Sequence, residues 1–165
     1  MFEFLKRMDD GRRVIMLDEV YAGWRGSRGY VENVVSAIAL ALTNERATNR
    51  IYNVGEKNAL SIAEWIQAIG SAAGWEGTIL TVSKDRLPPH LQDEANLSQD
   101  WVVDTSRLRK ELGYSESIPL NEGLKRAVAW ERAHPPQEID LKQFDYAAED
   151  ALVTQLNAEI GEEES

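Results

Sequence analysis

Apolar residues recur along the chain with two distinct periods, which separate predicted strands from predicted helices. Short runs rich in β-branched and large apolar residues predict strands at residues 13–17, 50–54 and 78–82. Between the first two strands, apolar residues return every three or four positions from about residue 31 to 44, which predicts an amphipathic helix. Its predicted buried stripe consists of Val31, Val34, Val35, Ile38 and Leu42.

Local signals define the other predicted helices. Ser61 precedes a second apolar stripe and Glu64 follows three residues later, which is the spacing of a capping box, while Gly74 is the predicted C-cap. A shorter helix is predicted at residues 105–113 and a longer one at 119–134, before two prolines. The pattern as a whole predicts an α/β fold in which a small three-stranded sheet is covered by the helices that start near residues 31, 61, 105 and 119.

Charge is unevenly distributed and divides the chain in two. The net charge is −10, and residues 137–165 carry nine acidic residues and one basic residue, so residues 1–136 are close to neutral. We interpret the acidic segment as a solvated tail. Within it, an amphipathic helix is outlined by Leu152, Val153, Leu156 and Ile160. Because no basic face dominates, nucleic acid is not an expected partner.

Features that the sequence lacks exclude several kinds of site and of protein. The chain has no cysteine, which excludes a disulfide framework, a cysteine-based metal site and a thiol nucleophile. Its longest nearly apolar run has nine residues, far below the roughly 20 that span a bilayer. His90 and His134 are too far apart in sequence to form a metal-binding motif. With no signal-peptide pattern at its start, we expect a cytoplasmic protein without a metal or membrane partner.

A glycine-containing segment at residues 23–29 has the spacing G-x-x-G-x-x-G and precedes a predicted helix. A dinucleotide-binding turn requires a strand that runs directly into the first glycine, but residues 18–22 separate the two here. We therefore favour a loop without a specific NAD or NADP site over a small dinucleotide-binding protein. Arg25 and Arg28 lie in this loop just before a helix N-terminus, where they either bind an anion or pair with nearby acidic residues.

Three segments of the chain match a known family pattern in the same order. They are RGYVENVVSAIALAL, IYNVGEKNALSIAEWIQAI and VVDTSRLRKELGYSESIPLNEGLKRAVAW. Together they resemble the C-terminal half of the NAD-dependent epimerase/dehydratase family, the extended short-chain dehydrogenases/reductases that act on nucleotide-sugars. The resemblance covers residues 4–136 and implies a substrate-binding lobe that lacks the Rossmann cofactor domain, with residues 137–165 outside it.

The family's N-terminal half carries its cofactor-binding turn and its catalytic Tyr-x-x-x-Lys pair. No tyrosine of this chain has lysine four residues later, so the resemblance implies no catalytic residue and no cofactor-binding residue here. It implies NAD or NADP only for the full-length enzyme. The resemblance further implies a nucleotide-sugar or related anion as substrate, and an exposed apolar patch that meets a cofactor domain or a second copy.

The candidate substrate-binding residues are Arg28, Tyr30, Arg86 and Trp101. Arg28 matches the arginine that contacts the diphosphate in relatives, and Tyr30 follows it in the same motif. Relatives often carry a second diphosphate-binding arginine that is missing here, so either Arg86 replaces it or the substrate is not a sugar diphosphate. Trp24 and Trp101, both in predicted loops, are candidate platforms for a ligand.

Two classes of function are consistent with the sequence. The first is the substrate-recognition portion of an epimerase, dehydratase or reductase, inactive as an isolated chain. The second is a non-catalytic interaction module that docks on a partner through its exposed apolar face and its tail helix.

Overall fold

The computed structural model describes residues 1–92 and 95–163. In these residues the chain forms two strands, with helices before, between and after them. They are α1 (Phe2–Asp9), β1 (Val14–Asp18), α2 (Glu19–Gly23), α3 (Val31–Thr43), α4 (Ile62–Ala73), β2 (Thr78–Val82), α5 (Ser106–Leu112), α6 (Leu120–Ala133) and α7 (Tyr146–Glu163). None of the helices in these ranges is long and apolar enough to cross a lipid bilayer.

Strands β1 and β2 form a small parallel sheet, in register from Val14 opposite Thr78 to Asp18 opposite Val82. Two of the three predicted strands are therefore confirmed. The third, at residues 50–54, is wrong, because this segment has no strand partner among the described residues. A strand needs a neighbour to pair with its backbone groups.

One face of the sheet packs on three helices and holds the main core. Ile15 and Leu17 point to this face, where α1, α4 and α6 cover them. The predicted capping box is confirmed at the start of α4, and Gly74 ends the helix in the left-handed conformation with φ 76°. The central buried side chains of this core are Leu5, Met8, Ile15, Leu17, Ile62, Ile66, Ile69, Leu124 and Val128.

The other face of the sheet packs on α7. Leu152 is buried against Met16 and Val82, and Val153 and Leu156 pack at the edge of the same cluster. The predicted tail helix is thus confirmed for these three residues, whereas the side chain of Ile160 lies outside the described residues. Most of the described acidic residues from 137 onward are exposed, as the interpretation of a solvated segment expects, and Glu149 is the buried exception. The apolar side of α7, in contrast, forms part of the core.

Ion pairs also attach α7 to the rest of the chain. Asp150 pairs with Arg12, which lies between α1 and β1, and Glu149 pairs with Arg7 of α1. The Glu149 side chain is 1% exposed, and its Oε1 also lies 3.1 Å from Nε2 of His90. The acidic residues of this segment are therefore partly matched by bases elsewhere in the chain.

Helices α3 and α5 form a separate cluster away from the sheet, built around Ala37, Leu108, Leu112 and Tyr114. The expectation that α3 and α5 cover the sheet is thus wrong. The predicted buried stripe of α3 is wrong as well, since α3 buries Asn33 and Ala37 instead. The exposed residues of that stripe are Val31, Val35, Ile38 and Leu42.

Asn33 explains which face of α3 is buried. Its Nδ2 donates to the carbonyl of Ile118 at 2.8 Å, and its Oδ1 accepts from the amide of Ile118 at 3.0 Å. The hydroxyl of Tyr114 also donates to the Asn33 carbonyl at 3.1 Å. The side-chain amide of Asn33 is stable in the interior because both its donor and its acceptor are hydrogen-bonded. The face of α3 that carries Asn33 is therefore buried, and the apolar stripe is exposed.

Candidate functional site

The glycine-containing segment does not form a strand-to-helix turn. β1 ends at Asp18, and α2 occupies the next five residues up to and including Gly23. Neither Gly26 nor Gly29 has a positive φ. Instead they are required by packing, since a Cβ on Gly26 would lie 2.8 Å from the indole of Trp24 and one on Gly29 would lie 2.8 Å from the side chain of Val34. The geometry agrees with the loop interpretation.

This loop is hydrogen-bonded on both sides. On one side, the amide of Trp101 donates to the carbonyl of Arg25 and the amide of Ser27 donates to the carbonyl of Trp101, both at 2.9 Å. On the other, the amide of Ile62 at the start of α4 donates to the carbonyl of Trp24 at 2.9 Å. The loop is therefore a fixed element between α4 and the segment around Trp101.

A cavity of about 400 Å³ opens beside this loop. It contains three of the residues singled out in the sequence, Arg28, Trp24 and Trp101. The two indoles meet edge to face, with ring centroids 5.6 Å apart, and Trp101 is 66% exposed. The full lining consists of Trp24, Gly26, Ser27, Arg28, Val54, Trp101 and Val103.

Arg28 is half-buried and has no carboxylate partner among the described residues. Its Nη1 donates to the carbonyls of Gly26 at 3.1 Å and Leu60 at 3.3 Å, and its guanidinium lies over the Trp65 ring, 4.8 Å from the centroid. Burial lowers the pKa of the Arg28 guanidinium below its ordinary value. A partly desolvated cation without a counter-ion is a favourable place for an anion.

Arg25, three residues earlier, is arranged differently. Its Nη1 donates to the carbonyl of Ala59 at 2.8 Å and to Oε2 of Glu64 at 3.0 Å. The pKa of Glu64 is lowered, first by the backbone amide of Ser61 and then by Arg25. Arg25 therefore has a counter-ion within the chain, and it serves as a natural internal control for Arg28.

Two other predicted site residues do not line the cavity. The ring of Tyr30 packs on α6, where a Cβ on Gly123 would lie 2.9 Å from it, and its hydroxyl donates to Oε1 of Glu32 at 2.8 Å. Arg86 donates from Nη2 to both carboxylate oxygens of Glu159 on α7, at 2.8 and 2.7 Å. The structure thus brings Arg28 together with the indoles, and leaves Tyr30 and Arg86 elsewhere.

Some residues of the site carry no sequence signal. Val54 and Val103 line the cavity but belong to segments with no pattern that relates them to the glycine loop. Trp65 lies on the predicted apolar stripe of α4, yet one face of its ring contacts Arg28. The described residues contain no group of three or more His, Asp or Glu side chains suited to a metal ion.

Comparison with known proteins places this geometry in context. No protein-family model matches the chain. It is 28% identical over 134 residues to a dTDP-glucose 4,6-dehydratase of Streptomyces griseus, which covers 79% of the chain and 37% of that protein. A dTDP-glucose 4,6-dehydratase of Streptomyces niveus is 27% identical over 146 residues, with 87% and 40% covered.

Solved structures show the same fold. The UDP-glucose 4-epimerase of Thermotoga maritima, crystallised with UDP-glucose, superposes with a TM-score of 0.57 at 20% identity, over 79% of this chain and 38% of the epimerase. The UDP-glucose 4-epimerase of Thermus thermophilus, in complex with NAD, gives a TM-score of 0.53 at 23% identity, over 79% and 39%.

The chain thus has the fold of a part of nucleotide-sugar epimerases, and its sequence relatives include nucleotide-sugar dehydratases. It spans about two fifths of the length of the relatives it matches. These matches confirm the resemblance to the NAD-dependent epimerase/dehydratase family, and are consistent with its C-terminal half. The predicted fold class, a small sheet with covering helices, is confirmed as a two-stranded parallel sheet.

Proposed function

We propose that this chain is the substrate-recognition portion of an NAD(P)-dependent epimerase, dehydratase or reductase, and that the cavity beside Arg28 binds the anionic part of the substrate. The observation that carries the proposal is the half-buried Arg28 guanidinium, which has no carboxylate partner among the described residues. The named relatives act on dTDP-glucose and UDP-glucose, so a nucleotide-sugar or related anion is the substrate class we propose.

Arg28 is suited to this role because its orientation is already fixed. Two backbone carbonyls hold Nη1 and the Trp65 ring supports one face of the guanidinium, so little side-chain freedom is lost when an anion binds. The indoles of Trp24 and Trp101 offer flat apolar surface in the same cavity. An anionic group on Arg28 would therefore place an attached ring against an indole.

In this proposal the redox chemistry comes from another portion of the enzyme. Relatives of this fold bind NAD, but the chain has no Tyr-x-x-x-Lys pair and its glycine loop is not a dinucleotide-binding turn. The isolated chain is then inactive, and it binds no NAD or NADP of its own. The cytoplasmic location expected from the sequence stays a prediction.

The surface of α3 supports docking of a cofactor domain. Its inner face buries Ala37, while Val31, Val35, Ile38 and Leu42 on its outer face are between 51% and 82% exposed. Contiguous exposed apolar side chains are typical of a surface that contacts another domain or chain. We propose that this outer face, the α3 stripe, meets the cofactor-binding portion, and that two copies of the isolated chain associate through it.

The unpaired segment at residues 50–54 points to the same partner. It has the composition of a strand, and Ile51 is 84% exposed. No strand pairs with its backbone among the described residues. The amide of Arg50 donates to the carbonyl of Ala47, and the side chain of Arg107 donates to the carbonyl of Ile51. An extended β-favouring segment with free edges accepts a neighbouring strand, which a cofactor domain with an open sheet would provide.

The second candidate function is a non-catalytic interaction module. The exposed α3 stripe supports an interaction module as well as it supports the substrate-recognition portion of an enzyme. The tail helix does not support an interaction module, because Leu152, Val153 and Leu156 pack inside the chain. The two functions differ at Arg28, since a module that only docks on a partner has no use for an unpaired guanidinium in a cavity.

The deciding experiment compares Arg28→Ala with Arg25→Ala in a calorimetric or NMR titration with UDP. A hydrogen-bonded contact to a charged group contributes about 1.5–3 kcal/mol, so Arg28→Ala is expected to weaken binding at least tenfold. Arg25→Ala is expected to change it less than threefold, because Arg25 is paired with Glu64. Equal loss in both variants would mean that the loop is merely basic, and no loss in either would refute the anion site.

A further inference from the structure

The cavity beside Arg28 contains a single positive charge. Among the residues that line it, Arg28 is the one basic side chain. The number of charges that a site offers limits the charge of the ligand that it favours. The substrate class inferred from this charge rests on the function proposed above.

Other arginines of the chain that are candidates for a second contact already have carboxylate partners. Arg25 pairs with Glu64, and Arg86 is bound by both oxygens of Glu159. Arg109, whose Nη2 donates to the carbonyl of Gly55, pairs with Glu116.

Acidic residues, in contrast, border the segments that line the cavity. Asp100 and Asp104 flank the lining segment 101–103, and Asp100 accepts a hydrogen bond from the backbone amide of Arg25. The amide of Glu56 donates to the carbonyl of Arg28 at 2.7 Å. The residues that line the cavity therefore offer no second cation for a further negative charge of a ligand, and the charged residues that border it in sequence are acidic.

We infer that this cavity recognises one singly charged anionic group, such as a carboxylate or a phosphodiester, attached to a flat apolar body, and that a second negative charge adds no affinity. The flat body follows from the rest of the lining, in which the Trp24 and Trp101 indoles and two valines face the same space.

Three uridine ligands separate charge from shape: uridine has no charge, uridine 2′,3′-cyclic monophosphate has one, and UDP has more. Titration of the chain should show the cyclic phosphate binding at least tenfold more tightly than uridine. UDP should bind no more than threefold more tightly than the cyclic phosphate. Arg28→Ala should reduce both anions to the level of uridine, and Arg25→Ala should leave the order unchanged.

The outcomes distinguish this inference from the proposed function. If UDP binds more than threefold more tightly than the cyclic phosphate, the single-charge inference is overturned while the anion site at Arg28 stands. If neither anion exceeds uridine, or if Arg28→Ala changes nothing, the anion site and the inference both fail. A second variant, Val103→Lys, adds a cation to the lining and should raise the affinity for UDP at least tenfold; an unchanged affinity would show that a second charge is not the limiting factor and would contradict the inference.

Discussion

Arg7 and Glu149 form an ion pair in which both residues are almost completely buried, although 142 positions separate them in the sequence. Nη2 of Arg7 lies 3.1 Å from Oε1 of Glu149, and it also donates to the carbonyl of Gln143. His90 contacts the same carboxylate oxygen. One carboxylate therefore connects α1, the turn at Pro89–Leu91 and α7.

Loss of the Glu149 carboxylate should lower the stability of the fold. Glu149→Ala leaves the Arg7 guanidinium buried without a counter-ion, and removal of one partner of a buried pair costs about 3–5 kcal/mol. We expect the free energy of unfolding in urea to fall by about that amount. The control is Asp150→Ala, which removes the neighbouring pair with Arg12; the Asp150 side chain is 62% exposed, so its loss should cost less than about 1 kcal/mol. Similar losses in both variants would contradict the central role of Glu149.

Acid should destabilise the protein through carboxylates that arginines hold in the charged form. The hydrogen bond from Arg109 keeps the pKa of Glu116 below its ordinary value. Such a carboxylate adds stability above its unfolded pKa, about 4.3 for Glu, and the contribution is lost as the pH falls through the lower folded pKa. We expect the free energy of unfolding to decrease from about pH 5 to pH 3, and to decrease less in Glu116→Gln. An identical pH profile for this variant would count against the pair.

The α3 stripe should cause self-association of the isolated chain. Contiguous exposed apolar surface on a soluble protein favours association, so sedimentation velocity should show dimers or larger species at micromolar concentration. Val35→Lys together with Leu42→Lys should yield a monomer with an unchanged melting temperature, because both side chains are exposed. Thr43→Lys, exposed at the same helix but beside the stripe, is the matched control. A wild-type chain that sediments as a clean monomer would contradict the prediction.

NADH should not bind specifically to this chain, because the glycine segment 23–29 is not a strand-to-helix turn. Energy transfer from tryptophan to NADH is the measurement, and no saturation below millimolar concentration is the expected result. Gly23→Ala is a clean test variant, since a Cβ at this position meets nothing within 4 Å. Micromolar binding that Gly23→Ala abolishes would refute the loop interpretation and indicate a dinucleotide site.

The elements that could be predicted from sequence are those whose signals are local. Ser61, Glu64 and Gly74 define α4 through contacts within a few residues, and the structure has each of them in the predicted role. The segment at residues 50–54 has an equally good strand composition, but pairing depends on a neighbour that this chain does not provide among its described residues. Periodicity cannot show whether such a neighbour exists.

The same distinction applies to α3 and to the site. Apolar spacing identified the helix, but the bonds between Asn33 and Ile118, 85 positions apart, determined which face is buried. Arg28 was found through its motif and its place before a helix, whereas the contact with Trp65 and the approach of Val54 arise only when distant segments fold together. The carboxylate that pairs with Arg86 likewise belongs to a distant residue, Glu159 of α7, which lies 73 positions later in the sequence.

The packing of α7 on the sheet has a consequence for how the chain is made. Met16 and Val82 are synthesised long before Leu152, which covers them. Until α7 has left the ribosome, the apolar residues on one face of the sheet stay exposed to water, and the nascent chain is prone to aggregation or to binding by chaperones. Shortening the chain just before Tyr146 should therefore affect the yield of folded protein during translation more than the loss of a peripheral segment would.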